Sequence, residues 1–285
     1  MPAAALLALT AAVLMHVAWN LAARNTDPRA AFLWWALAAW LVTVGPWSLA
    51  LLIARADWSP MLILLLAVTC AAEALYFITL GAAYRRAPVP LVYPIARSSP
   101  LLIALWTTLF FGEQLPALGW MAIAVAVAGV LLLAATARGG EPARAVPLAL
   151  AAAFATSVYS TSNKLAVAAL PGYGVQLGFV TVSLLIAWLA LTLDTRRRLK
   201  RWRPATAPPL ARALFGGICI GNAYALVIYA MQYIPAAYAV AFTNAGIVLA
   251  GIIAMTAYKE RERWRARVAA MLVICAGLAL LAFAR

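Results

Sequence analysis

The sequence predicts an all-α integral membrane protein of ten transmembrane helices, arranged as two inverted five-helix repeats. Three observations carry this. Apolar runs of about 20 residues, enough to cross a ~30 Å hydrocarbon core at ~1.5 Å per residue, recur from end to end. The composition is 67% hydrophobic and only 11% charged, against roughly half and a quarter in a soluble domain. The second half of the chain also repeats features of the first in the same order.

The spans fall at 3–23, 30–54, 60–84, 88–111, 116–137, 146–169, 174–194, 210–232, 236–258 and 266–284. Span 1 lacks a basic leader and carries His16, Trp19 and Asn20 where a cleaved signal is apolar, so it reads as retained. Span 2 holds Trp34, Trp35 and Trp40. These read mainly as an interfacial belt or lipid contact, and less specifically as an aromatic wall for an amine. Spans 3 and 4 contain Glu73 and Arg97 within apolar sequence. Span 8 gathers Gly216, Gly217, Gly221, Asn222, Tyr224 and Tyr229, and span 9 has Thr243, Asn244 and Gly246. Small residues let helices approach, and polar ones bond across them. Short loops make sequential helices antiparallel neighbours and leave no room for a soluble domain. Cys70, Cys219 and Cys275 form no CxxC pair and read as small core residues.

The formal charge is +14. Its carriers sit in the loops after the odd spans: Arg24 and Arg29, Arg85 and Arg86, Arg138 and Arg144, residues 196–203, and residues 259–267. The opposite side has little beyond Arg55 and Arg285. These are topology signals that put the odd loops in the cytoplasm and both termini outside. There is no basic face with interleaved aromatics to track a phosphate backbone, so a nucleic-acid partner is excluded. The partners expected are the lipid bilayer, a small-molecule substrate and coupled protons, with a monomer or homodimer in the cell inner membrane.

Shifting the chain by 147 residues lays Pro88 on Pro235, Arg97 on Asn244, and Phe111-Gly112-Glu113 on Tyr258-Lys259-Glu260. After one inserted residue, Ala128-Gly129 falls on Ala276-Gly277. Near the front, Leu7-Ala8-Leu9 meets Leu148-Ala149-Leu150. Two halves follow, 1–137 and 146–285, with a linker at 138–145. Five spans is an odd number, so the second half must run oppositely through the membrane. Inverted repeats are the architecture of secondary transporters, with the site at midplane between the halves.

An ionisable residue inside a span is a functional-site candidate by default. Ionised, Glu73 can hold an amine; protonated, it can be the coupling site of a proton-driven carrier. A structural ion pair with Arg97 is the alternative, since the two lie within about 6 Å of one depth by helical rise. Arg97 follows Pro88, Pro90 and Pro94, which free backbone groups of a kind tolerated beside a cavity. Its guanidinium suits a carboxylate or phosphonate. Tyr93 lies one turn before it, Ser98 and Ser99 beside it, and Tyr76 one turn from Glu73. His16 and Asn20 share a face of span 1, as packing or as cavity lining. Span 6 offers Tyr159, Asn163 and Lys164, the last near enough to its end to snorkel. Asn222 and Asn244 read as substrate contacts or as packing. A single histidine without spaced cysteines calls for no metal, and nothing calls for a cofactor. No catalytic triad, phosphate loop or paired carboxylates are present, so the enzyme class is not supported.

The five-plus-five plan, the Gly-Glu followed by a glycine-bearing span at 112–129, and its echo at 260–277 resemble the drug/metabolite transporter superfamily, EamA-like type. The resemblance covers the whole chain. More narrowly, His16-Val17-Ala18-Trp19-Asn20 and Val92-Tyr93-Pro94-Ile95-Ala96-Arg97 resemble a subgroup associated with phosphonate utilisation. The family implies secondary transport of small metabolites by alternating access. Its members commonly keep their termini in the cytoplasm, the reverse of what the charges say here. Glu73 and Arg97 together then suit a zwitterion, an amino acid or aminophosphonate-like compound. A proton-coupled exporter of cationic or amphiphilic compounds, and a membrane enzyme or scaffold, are the rivals.

Overall fold

The computed structural model describes residues 1–23, 29–137, 139–259 and 262–284. Arg24, Arg138, Glu260 and Arg285 lie outside them. Regular structure among the described residues is helical: α1 (Ala3–Ala23), α2 (Arg29–Thr43), α3 (Gly45–Arg55), α4 (Pro60–Tyr84), α5 (Val89–Ala96), α6 (Pro100–Phe111), α7 (Ala117–Ala135), α8 (Pro142–Ala166), α9 (Tyr173–Leu199), α10 (Leu210–Ala230), α11 (Ala236–Thr243), α12 (Ala245–Thr256) and α13 (Trp264–Phe283). Among the described residues nine spans are long and apolar enough to cross a membrane, and ten once α2 and α3 count as one. Large apolar side chains such as Leu7, Val42, Ile53, Phe110 and Leu272 point outward. Such a surface requires lipid.

Local chemistry explains the helix ends. Ser59 caps α4 by accepting from the Leu62 amide at 3.1 Å, with Pro60 following. Gly112, at φ +67°, ends α6 in the left-handed conformation.

Three spans differ from straight rods. Span 2 was expected unbroken over 30–54, but α2 and α3 meet at 60°. Pro46 stands in the first turn of α3, where its missing N–H and its ring prevent continuation from α2. Span 4 breaks at 97–99 between α5, which contains Pro94, and Pro100 at the start of α6. Span 9 breaks at Asn244 without any proline. The two short helices α5 and α11 begin and end 147 residues apart, the offset of the sequence repeat. Span 7 is also longer than expected, since α9 carries Arg196, Arg197 and Arg198 in its last turn.

The helix neighbours keep their pattern when the halves are exchanged. α4 packs on α8 as α1 packs on α10, and α4 on α9 as α10 on α2. The self-paired contacts are α7 with α13 and α3 with α9. The α7–α13 contact is a close one. A Cβ on Gly129 would stand 2.6 Å from the Ile274 amide nitrogen, and one on Gly277 would stand 2.4 Å from that of Ala126. Gly217 in α10 likewise meets the Ala36 carbonyl of α2 at 2.4 Å from its would-be Cβ. Small residues here let backbones touch, as the sequence suggested for span 8.

Two expectations are corrected. Trp34 and Trp40 face neither a belt nor lipid. Both are buried, and their indole N–H groups donate to Thr192 at 2.8 Å and Thr181 at 3.0 Å on α9. An indole can be buried when its N–H finds an acceptor, and the α9 hydroxyls supply it. Cys275 is exposed on the outer face of α13, whereas Cys70 and Cys219 are buried.

Candidate functional site

A cavity of about 80 Å³ lies between the halves. Its polar wall comes from α1 (His16), α4 (Glu73, Tyr76), the span 4 break (Arg97), α8 (Tyr159, Asn163), α10 (Tyr224) and α11 (Thr243). Trp19, Phe77, Leu80, Ile220, Val227 and Met231 are among its apolar walls. Glu73 is 4% exposed, and a carboxyl so placed must find a partner or remain neutral.

Glu73 and Arg97 do not pair. Among the described residues the ion pairs are Arg85–Asp194, Arg144–Glu141 and Arg198–Asp194. The structural ion pair weighed from the sequence is therefore absent in this conformation. Arg97 instead donates from Nη1 to the Thr243 hydroxyl at 3.0 Å. Its guanidinium stands over the Tyr93 ring, 5.2 Å from the centroid. Arg97 Nε, Glu73 Oε2 and His16 Nδ1 are buried without hydrogen-bond partners.

The two helix breaks meet here. Asn244 donates from Nδ2 to the Arg97 carbonyl at 3.4 Å, so the gap in span 9 is tied to the gap in span 4. Asn244 is fully buried and does not line the cavity. Its amide serves a backbone group that the break left free.

A second cavity of about 370 Å³ is lined by His16, Asn20, Tyr93, Pro90, Thr136 and Arg267, with apolar residues of α1, α5, α7 and α12 between them. Asn20, Pro90, Thr136 and Arg267 all lie beside the loops that follow odd spans. His16 lines both cavities. The wide cavity is thus a vestibule leading inward from the odd-loop side.

Two further predicted residues, besides Asn244, stand apart. Lys164 does not reach the cavity; its ammonium donates to the carbonyls of Met231 at 2.7 Å and Ile234 at 3.1 Å, just beyond α10. A cation at a helix C-terminus satisfies carbonyls that have no intrahelical partner. Lys164→Met is accordingly expected to lower stability by about 1.5–3 kcal/mol while leaving ligand affinity unchanged, read as a melting shift beside an unaltered binding isotherm. Asn222 also misses the cavity. It donates to the Ile218 carbonyl and accepts from the Tyr173 hydroxyl, each at 2.9 Å, tying α9 to α10.

Tyr224 and Thr243 are cavity residues that the sequence reading left among packing groups. The repeat offset contains the missing signal for Tyr224. Adding 147 to Phe77, one turn beyond Glu73, gives Tyr224, and adding it to His16 gives Asn163. All four line the cavity. Leu80 and Val227 form another such couple. Positions 147 residues apart therefore recur in its lining.

Fold and cavity together define a class, a polytopic helical membrane protein with a buried cavity that holds a carboxyl and a guanidinium. The second half of the chain matches the model of the EamA-like transporter family over residues 143–283. This agrees with the drug/metabolite transporter superfamily, whose members are membrane transporters. A solved crystal structure, described only as that of a protein, is similar at 22% identity and a TM-score of 0.74, over 99% of this chain and 98% of that one. Identity at this level speaks for the fold alone. No curated protein matches the sequence.

Proposed function

We propose that the chain is a secondary transporter of a small zwitterion, an amino acid or aminophosphonate-like compound, in the cell inner membrane. The observation that carries this reading is one small cavity lined by a carboxyl and a guanidinium that do not neutralise each other. Each also keeps a buried atom without a partner. Arg97 would hold the acid group by charge-assisted hydrogen bonds, and Glu73 the amine. The volume of about 80 Å³ is room for a handful of waters, hence for a ligand of about that many heavy atoms. The two halves, taken as inverted repeats, would rock about this site and expose it alternately. The vestibule supports a conformation open to the odd-loop side, which the charge pattern assigns to the cytoplasm.

A second reading, an exporter of cationic or amphiphilic compounds with Glu73 as its proton-exchange site, is favoured by the apolar lining of the 370 Å³ vestibule. A melting screen of purified protein against amino acids, aminophosphonates and quaternary amphiphiles separates the two. Ligand at 100 times its Kd stabilises the folded state by about 2.7 kcal/mol. Stabilisation by zwitterions, with counterflow of the same compounds in proteoliposomes, is the expected result. Stabilisation by amphiphiles alone, together with substrate-driven proton flux, would replace it by the second reading.

A further inference from the structure

A chain of hydrogen bonds leaves α4, crosses to the second half and ends at Tyr224, which lines the same cavity as Glu73. The Thr69 hydroxyl donates to Asn163 Oδ1 at 3.1 Å, and Asn163 Nδ2 donates to the Tyr224 hydroxyl oxygen at 2.9 Å. Tyr224 and Glu73 line the same cavity. A phenol has one hydrogen to give. With its oxygen taken by the Asn163 amide, the Tyr224 hydrogen is left for an acceptor on the cavity side, where Glu73 offers a carboxyl. The relay therefore has a direction, from Thr69 through Asn163 to Tyr224.

Two consequences follow for a ligand. Glu73 Oε2 is buried with no donor. A bare acceptor there is costly, and only a group bearing N–H or O–H relieves it. The tyrosines around it are not a parallel-walled box. Tyr76 and Tyr159 meet edge to face at 6.0 Å and 80°, and Tyr159 and Tyr224 at 5.6 Å and 62°. Rings that lean on each other's edges present less open π-face to a methylated cation.

We infer that Thr69, Asn163 and Tyr224 are positioning residues that turn Glu73 to select amines bearing N–H over quaternary ammonium groups. This rests on the zwitterion reading above and adds the specificity of its amine end. None of the three residues needs to touch the substrate amine; they act through the carboxyl. A relay that starts on α4 and runs through α8 to α10 also makes this selectivity depend on how the three helices sit together.

The test uses full-length purified protein and matched probes: glycine, its N,N,N-trimethyl form and acetate, then 2-aminoethylphosphonate, its trimethyl form and ethylphosphonate. Wild type is expected to bind each primary amine about tenfold or more tighter than its trimethyl partner. Tyr224→Phe is expected to bring that ratio to about threefold or less, with affinity for the amine-free acids unchanged. Phenylalanine keeps the cavity walls, so a preference set by size alone would survive the change and overturn the inference. Thr69→Val should narrow the ratio as Tyr224→Phe does, and Thr69→Ser, which keeps the hydroxyl, should restore it; this pair decides the matter if Tyr224→Phe fails to fold. A uniform loss for all three probe classes would make the relay structural and overturn the inference. Equal binding of primary and trimethyl amines by wild type sinks the selectivity alone. Absence of binding by every zwitterion sinks the transport reading with it.

Discussion

Replacing Arg97 by methionine is expected to lower zwitterion uptake at least 30-fold while leaving the melting temperature nearly unchanged. Removing one member of a desolvated charge contact costs about 2–5 kcal/mol, and about 2 kcal/mol is already a factor of roughly 30. The stability cost is small because little structure hangs on the guanidinium. Thr243, which accepts from it, also donates to the Val240 carbonyl at 2.6 Å and stays satisfied. The crossing tie from Asn244 goes to the Arg97 backbone and survives any side chain. Arg97→Lys keeps the charge but loses the planar fork, so an intermediate loss is expected. Uptake into proteoliposomes, read beside thermal melts of the same preparations, checks this. Unchanged uptake in the methionine variant, or a melt that collapses together with uptake, would show that Arg97 holds the fold and not the solute.

A large stability effect is expected at Gly277. Its added Cβ would stand 2.4 Å from the Ala126 nitrogen and 2.7 Å from the Ala126 Cα, both backbone atoms of a packed helix. Neither can swing aside as the tip of a side chain would. Gly277→Ala should therefore cost about 1–3 kcal/mol, as overpacking does, and Gly277→Val should abolish the folded form. Gly45→Ala is the control, because the nearest atom to its Cβ is a Thr181 methyl at an ordinary 3.6 Å. Melting in detergent reads both. An undisturbed Gly277→Val variant would mean that α7 and α13 separate without consequence.

Much of this molecule is legible in its sequence, but unevenly. Hydropathy places the spans because the bilayer sets their length. It says nothing about which way each helix is turned. A helix apolar on all sides has no amphipathic face to mark protein against lipid. That is why Trp34 and Trp40 read as lipid contacts: the Thr192 and Thr181 hydroxyls that take their indole hydrogens lie about 140 to 160 residues away in sequence. Glu73 and Arg97 stood out because a charge in hydrocarbon is conspicuous. Tyr224 did not, since tyrosine is ordinary in membrane helices. The break in span 4 is written in Pro94 and Pro100, and the bend in span 2 in Pro46. The break in span 9 has no such mark, and Asn244 gains its meaning only from the Arg97 carbonyl opposite. Lys164 shows the converse, a charge conspicuous in sequence that serves two carbonyls.

The glycine contact between α7 and α13 has one more consequence. Gly129 meets Ile274, and Gly277 meets Ala126. Under the one-residue-longer offset that aligns the two glycines, Ile274 is the counterpart of Ala126. Each position therefore touches the partner's copy of the position that touches it, which is how a surface binds to itself in a two-fold dimer. A contact of that kind is complete with only one kind of half. Both sides of the joint are built alike, each a glycine set against the backbone of the facing helix.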